Sequence, residues 1–144
     1  MNKNGKYVEI TSNGQKIKIN RRGLIGYGNP IDSGKAPDKA ELDDLRKFLN
    51  KIFIICDDVN TNLPSGILRH TYKYATGKQI QRGDFIYAMH LEGYNIYLDK
   101  EGSSYCYFNY DEIDFWFQLE YHYPSLAKTF RSTDGKKSKV VTLN

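Results

Sequence analysis

The dipeptide Asn13-Gly14 places the strongest constraint on how this chain folds. Branched apolar residues stand at alternate positions on both sides of it, namely Val8, Ile10, Ile17 and Ile19. Alternation with period two is typical of a strand with one buried face, and Asn-Gly favours a two-residue turn because both residues tolerate positive φ. The sequence therefore predicts an N-terminal β-hairpin over residues 7–20.

One amphipathic helix is predicted after a loop that is rich in Gly and Pro. Asp38 and Glu41 have the spacing of a capping box at a helix N-terminus. Apolar residues then recur every three or four positions, at Leu42, Leu45, Phe48, Leu49, Ile52, Phe53, Ile55 and Cys56. This spacing puts them on one helix face, and we expect the helix over residues 39–58.

An aromatic β-meander is predicted over residues 83–123, after a short extended segment around residues 67–74. Apolar residues alternate with other residues in three runs, which begin at Phe85, Tyr94 and Cys106. Alternation of this kind, interrupted by turn residues, indicates successive strands.

The end of this meander allows two interpretations. Apolar side chains occupy every second position, at Ile113, Phe115, Phe117, Leu119, Tyr121 and Tyr123, and this pattern predicts a strand. A helix is the alternative, because Asp111 stands where a capping residue would begin one. Such a helix would be apolar on all sides.

Together these elements predict an α+β fold. The N-terminal hairpin and one amphipathic helix would pack on a bent antiparallel sheet or a small SH3-like barrel. The chain has 144 residues and no linker-like segment. We therefore expect a single domain, 1–144, which ends in a basic tail over residues 131–144.

The segment GKQIQRGDFI, from Gly77 to Ile86, together with the Tyr-rich meander after it, is similar to the opening of small SH3-like barrels. These include the barrel of the YopX-type phage proteins. The resemblance implies a small barrel and an origin in a phage or mobile element. It transfers no functional residue, because one shared module says little about function.

Charge is distributed in segments along the chain. Seven basic and two acidic residues lie within residues 1–35, and five basic and one acidic residue lie within residues 125–144. Residues 86–124 hold seven acidic residues and one basic residue. The resulting net charge of +4 permits binding to polyanions without requiring it.

Trp116, the single tryptophan of the chain, is the most informative candidate for a binding residue. On a strand it would share the polar face with Asp114 and Glu120, close to Glu112, and large aromatic side chains are common anchors at interfaces. On a helix it would instead join Ile113 and Phe117 in the core.

No segment of the sequence has the residue spacing of a known cofactor or metal motif. The loop Gly28–Ala36 resembles a phosphate-binding loop, but it has the wrong spacing of glycines and Ala36 where Ser or Thr is needed. The histidines and the two cysteines lack the spacing of zinc ligands. We therefore expect no metal, no cofactor and no enzyme activity, although an active site assembled from distant residues stays open, with four titratable candidates: His70, His90, Cys106 and Glu112.

The function predicted from these features is that of a small non-enzymatic binding or inhibitor protein, encoded by a phage or mobile element. It would act through contact with a protein partner or through self-association, at a site formed by Trp116, Glu112, Asp114 and Glu120. No segment has the ~18 consecutive apolar residues of a membrane span, and no signal peptide is recognised. We therefore expect a cytoplasmic protein that does not bind membranes.

The alternative function is binding of an anionic nucleotide or nucleic acid. The aromatic sheet would stack bases, and the basic residues of the N-terminal region would contact phosphate: Arg21, Arg22 and Lys35.

Overall fold

The computed structural model describes residues 5–32, 34–99 and 102–126. These segments contain helices and two antiparallel three-stranded sheets, which confirms the α+β class. The predicted basic tail, 131–144, lies outside the described residues. Within the described segments, no helix combines the length and the apolar character needed to cross a membrane.

The first sheet contains three strands in sequence order: β1 (Val8–Ser12), β2 (Gln15–Asn20) and β3 (Gly23–Leu24). Ser12 pairs with Gln15 across the turn. Between them, Asn13 and Gly14 have φ angles of 53° and 78°, in the left-handed region that this hairpin turn requires. The predicted N-terminal hairpin is confirmed.

The predicted amphipathic helix over 39–58 is too long at its C-terminal end. A 3₁₀ turn covers Lys39–Leu42, and helix α1 covers Asp43–Ile52. The backbone becomes extended at Phe53, and strand β4 follows at Ile55–Asn60. Ile55 and Cys56, which were expected at the end of the helix, therefore belong to a strand.

Helix α2 covers Ser65–Thr76 and ends at Gly77, which has a φ of 77°. The prediction of an extended segment around residues 67–74 is therefore wrong. Leu68 and Tyr72, one turn apart, both point into the core, and this spacing is that of a helix face.

The first strand of the predicted meander is helix α3, Arg82–Leu91. Most of its residues are buried: Gly83, Asp84, Phe85, Ile86, Ala88 and Met89. A helix that is surrounded by the core has no polar face. The period of 3.6 is therefore not visible in its sequence, and the alternation that remains resembles a strand.

The second sheet has the strand order β4-β6-β5. Strand β5 covers Ile96–Leu98 and strand β6 covers Cys106–Tyr110, paired in antiparallel orientation, so this part of the meander is confirmed. The described strands form two open sheets. The SH3-like barrel is not confirmed, since the segment that resembles it contains the residues between α2 and α3 and the first half of α3.

The last run of the predicted meander is helix α4, Glu112–His122. The strand prediction for residues 113–123 is wrong, and the helical alternative is correct. Phe115 and Leu119 are buried on one side, while Ile113, Phe117 and Tyr121 are exposed on another. Because both sides are apolar, the sequence shows the same alternation that a half-buried strand would show.

A close contact joins the first sheet to helix α3. A Cβ atom at Gly83 would lie 1.7 Å from the carbonyl oxygen of Asn20, and the N–H of Gly83 donates to the carbonyl of Arg21 at 3.0 Å. Only glycine allows the first turn of α3 to approach the end of β2 this closely.

An ion pair lies beside this contact. Arg21 donates through Nε to both carboxylate oxygens of Asp84, at 3.1 and 3.3 Å, and its Nη2 lies 3.0 Å from Oδ2. Burial raises the pKa of Asp84, although the hydrogen bond and the charge of Arg21 act in the opposite direction. A second carboxylate, that of Glu41, lies 3.0 Å from Arg21.

A Gly83→Ala substitution is expected to lower the free energy of unfolding by about 3 kcal/mol, because the new methyl group forces α3 away from β2. Chemical denaturation followed by circular dichroism measures this loss. Gly34→Ala is the matched control, since a Cβ there makes only ordinary contacts of 3.5 Å or more. A variant at Gly83 as stable as the control would contradict the close packing.

An Arg21→Met substitution leaves the buried carboxylate of Asp84 without its cation. We expect a loss of about 3 kcal/mol in the free energy of unfolding at neutral pH. The raised pKa of Asp84 means that this group stabilises the fold below its unfolded pKa and loses that contribution as the pH rises through its folded pKa.

Removing Arg21 raises the folded pKa further, so the destabilisation should grow from about pH 4 to neutral pH. Urea unfolding at several pH values measures the trend. Arg22→Met, at the exposed neighbour, should change the stability by less than about 0.5 kcal/mol. If Arg21→Met lowered the free energy of unfolding equally at both ends of the pH range, loss of the charge pair would not be the cause of the destabilisation.

Candidate functional site

One face of helix α4 anchors it to the core. The carboxylate of Asp111 caps the helix by accepting from the N–H of Asp114 at 2.9 Å, as the helical interpretation of the sequence requires. Phe115 and Leu119 are fully buried. The ring of Phe115 lies 5.0 Å from that of Phe53, between centroids, and this packing fixes which side of α4 faces outward.

The outward side of α4 carries three large apolar side chains in one row. Ile113, Phe117 and Tyr121 are 68%, 64% and 72% exposed, respectively. Residues four apart on a helix are neighbours on its surface, so the three side chains form a continuous strip, which we call the α4 ridge. It is the candidate functional site.

Acidic residues flank the α4 ridge. Asp114 and Glu120 each lie three positions from Phe117, on opposite sides of the row. Glu120 is exposed and Asp114 is half-buried. The ridge therefore offers a partner an apolar centre and an acidic border.

Glu112 has a structural role at the start of α4. Its Oε1 accepts from Asn60 Nδ2 at 2.8 Å and from Asn62 Nδ2 at 3.1 Å, and its Oε2 accepts from Trp116 Nε1 at 3.2 Å. These bonds hold the end of β4 against the first turn of α4. Glu112 is therefore occupied by contacts within the chain.

Trp116 is half-buried beside the ridge. Its ring packs edge-on against Phe115, with 5.1 Å between centroids, and its indole N–H is bonded to Glu112. The expectation that a helical Trp116 shares the core with Ile113 and Phe117 is wrong, because those two residues are the exposed ones. The feature that sequence reasoning missed is this row of Ile113, Phe117 and Tyr121. A helical wheel of residues 112–122 would have revealed it.

The other predicted binding residues lie in two neighbouring loops: Arg21 and Arg22 between β2 and β3, and Lys35 after β3. The N–H of Arg21 donates to the carbonyl of Lys35 at 2.8 Å, and the side chains of Arg22 and Lys35 are exposed. The guanidinium of Arg21, however, is paired with Asp84. A phosphate in these loops would have to compete with that buried carboxylate.

Among the titratable candidates, Cys106 is fully buried, and burial raises its pKa to about 12. It is therefore a protonated thiol at neutral pH and a poor nucleophile. Burial lowers the pKa of His90. Within the described residues, no group of three or more His, Cys, Asp or Glu side chains is arranged to hold a metal ion.

Comparison of the chain with protein-family models, with curated proteins and with solved structures finds no match in any of the three. The chemistry of the described residues therefore has to support any functional assignment.

A Glu112→Ala substitution is expected to lower the free energy of unfolding by about 1–3 kcal/mol, because Asn60 and Trp116 lose a charged acceptor. The fluorescence of Trp116 should also change, since this single tryptophan loses the partner of its indole N–H. Thermal unfolding and emission spectra measure the two effects. Glu9→Ala, at an exposed position on β1, is the control, and a spectrum unchanged from wild type would contradict the Glu112–Trp116 contact.

Proposed function

We propose that this chain is a binding protein that acts through protein contact, and that the α4 ridge makes the contact. The observation that supports the proposal is the exposure of Ile113, Phe117 and Tyr121, each above 60%. Clusters of large apolar side chains in contact with water mark interaction surfaces, and aromatic residues supply much of the binding energy there.

The charges on α4 favour a second copy of this chain as the partner of the α4 ridge. The two α4 helices would pack in antiparallel orientation. Asp111, Glu112 and Asp114 lie at the N-terminal end of the helix. The C-terminal end carries one carboxylate of the helix, that of Glu120, together with His122 and the ammonium group of Lys51, which lies 5.8 Å from the ring centroid of Tyr123. An antiparallel pair brings the more acidic end of each helix to the less acidic end of the other, and it also aligns the two helix dipoles favourably.

The spacing of the ridge fits this arrangement. Phe117 is the middle residue, so an antiparallel two-fold axis through it would place the two Phe117 rings against each other. Ile113 of one copy would then face Tyr121 of the other at both ends. Such an interface uses the same patch twice, as two-fold dimers do.

We expect the purified chain to self-associate, and a Phe117→Asp substitution to weaken the dimer by about thirtyfold or more, because a central aromatic anchor at an interface is worth 2 kcal/mol or more. Sedimentation velocity over a range of concentrations measures the effect. Ile67→Asp is the matched control, since Ile67 is also exposed, at 45%, on a different helix.

Cysteine crosslinking tests the orientation. In a Cys56→Ser background, which removes the partly exposed thiol, a Phe117→Cys variant should form a covalent dimer on mild oxidation. Ile113→Cys and Tyr121→Cys variants should crosslink with each other when mixed, and much less with themselves. Homotypic crosslinking at both ends would instead indicate a parallel pair.

A wild-type chain that stays monomeric at the highest attainable concentration would overturn the proposal that a second copy occupies the ridge. A different protein partner would then be the occupant to seek, with Phe117→Asp and Ile67→Asp as the matched pair of variants.

A further inference from the structure

A cleft of about 1230 Å³ lies away from the exposed residues of the α4 ridge. Helix α2 forms one wall through Arg69, His70 and Tyr74, and Arg82 and Tyr105 form another. The residues that follow α4, including Tyr123, close the third side. We call it the arginine–tyrosine cleft. Its volume is sufficient for a ligand the size of a nucleotide.

Two arginines line this cleft, and each has a donor that is not used within the described residues. Arg69 donates through Nη1 to the carbonyl of Ile80 at 3.1 Å, and Arg82 donates through Nη1 to the hydroxyl of Ser104 at 3.2 Å. The Nε atom of each arginine is buried and has no hydrogen-bond partner among the described residues. Buried donors of this kind are costly unless a partner is supplied.

The charge of these arginines is not balanced by the described part of the protein. The described lining of the cleft contains no aspartate or glutamate, and the described ion pairs involve other cations. Burial, followed by the positive charge of Arg82, lowers the pKa of Arg69. Burial and the charge of Arg69 likewise lower the pKa of His70. The cleft is therefore a region of positive potential.

Two tyrosine rings line the cleft, and that of Tyr105 is held next to the guanidinium group of Arg82. The ring of Tyr105 packs over Gly66, where a Cβ would lie 2.7 Å from Cε1, so the glycine makes room for the ring. The guanidinium carbon of Arg82 lies 6.0 Å from the centroid of that ring. Tyr74 is 60% exposed on the other wall, and its ring is therefore accessible to a ligand.

We propose that the arginine–tyrosine cleft binds the phosphate group and the base of a nucleoside phosphate. Arg69 and Arg82 would donate to the phosphate, since guanidinium groups match its geometry. The rings of Tyr74 and Tyr105 would stack on the base, as aromatic side chains do at nucleotide-binding surfaces. This site differs from the N-terminal loops with Arg21, Arg22 and Lys35 that the sequence suggests.

Isothermal titration calorimetry at low salt with adenosine monophosphate, adenosine and inorganic phosphate tests the proposal. Adenosine monophosphate should bind more tightly than either fragment, because only the nucleotide engages both the arginines and the rings. Arg69→Met and Arg82→Met should each weaken its binding by roughly tenfold to a hundredfold, since a charge-assisted hydrogen bond is lost while the apolar stem is kept.

Lys73→Met is the matched control. It removes a positive charge from the same helix, at a residue that is not part of the lining, and should leave the affinity nearly unchanged. Circular dichroism of every variant verifies the fold. A Tyr105→Leu variant gives a second measurement: it keeps the arginines and should reduce the affinity for adenosine monophosphate more than that for inorganic phosphate.

A nucleoside phosphate is available either as a free nucleotide or as part of a nucleic acid strand. Binding of a fluorescein-labelled oligothymidylate distinguishes the two. If the ligand is a free nucleotide, the strand should bind no more tightly than the nucleotide and show little salt dependence. If it is a nucleic acid strand, affinity should be higher and fall steeply with salt, because several counterions are released. The proposal is overturned if none of these probes binds, or if binding is the same in both arginine variants as in Lys73→Met.

Discussion

The contact between the first turn of α3 and the end of β2 is the constraint on which much of this structure depends. Helix α3 lies at the centre of the core, and the missing side chain of Gly83 lets it reach the backbone of Asn20. The pair Arg21–Asp84 adds charge complementarity at the same point. A second link joins the sheets directly, because the hydroxyl of Ser12 accepts from the N–H of Ile96 at 2.8 Å.

Local chemistry allowed part of this fold to be predicted from the sequence. Asn13-Gly14 specifies a hairpin turn, and Asp38 caps the turn before α1 as expected, through the N–H of Ala40. Both signals act within a few residues and do not depend on the rest of the chain. The strand pair β5–β6 was also predictable. Apolar residues alternate with other residues in both strands, and turn residues separate the two runs.

The helices α3 and α4 were not predictable from hydrophobic period, for two different reasons. Six of the ten residues of α3 are buried, so its apolar side chains are not confined to one side of the helix. Helix α4 is apolar on its inner side because Phe115 and Leu119 pack on the core, and apolar on its outer side through Phe117 and its neighbours. The arginine–tyrosine cleft was not predictable either, because Arg69 and Arg82 lie on separate helices and only tertiary packing brings them to one cleft.

The continuity between α4 and the arginine–tyrosine cleft has a thermodynamic consequence. Tyr123 directly follows the helix, packs against Phe48 with 6.0 Å between centroids, and forms part of the cleft wall. If a partner on the α4 ridge shifted Tyr123, binding of that partner and binding of a ligand in the cleft would be coupled. The two events then share one free energy of coupling, which is the same whichever occurs first.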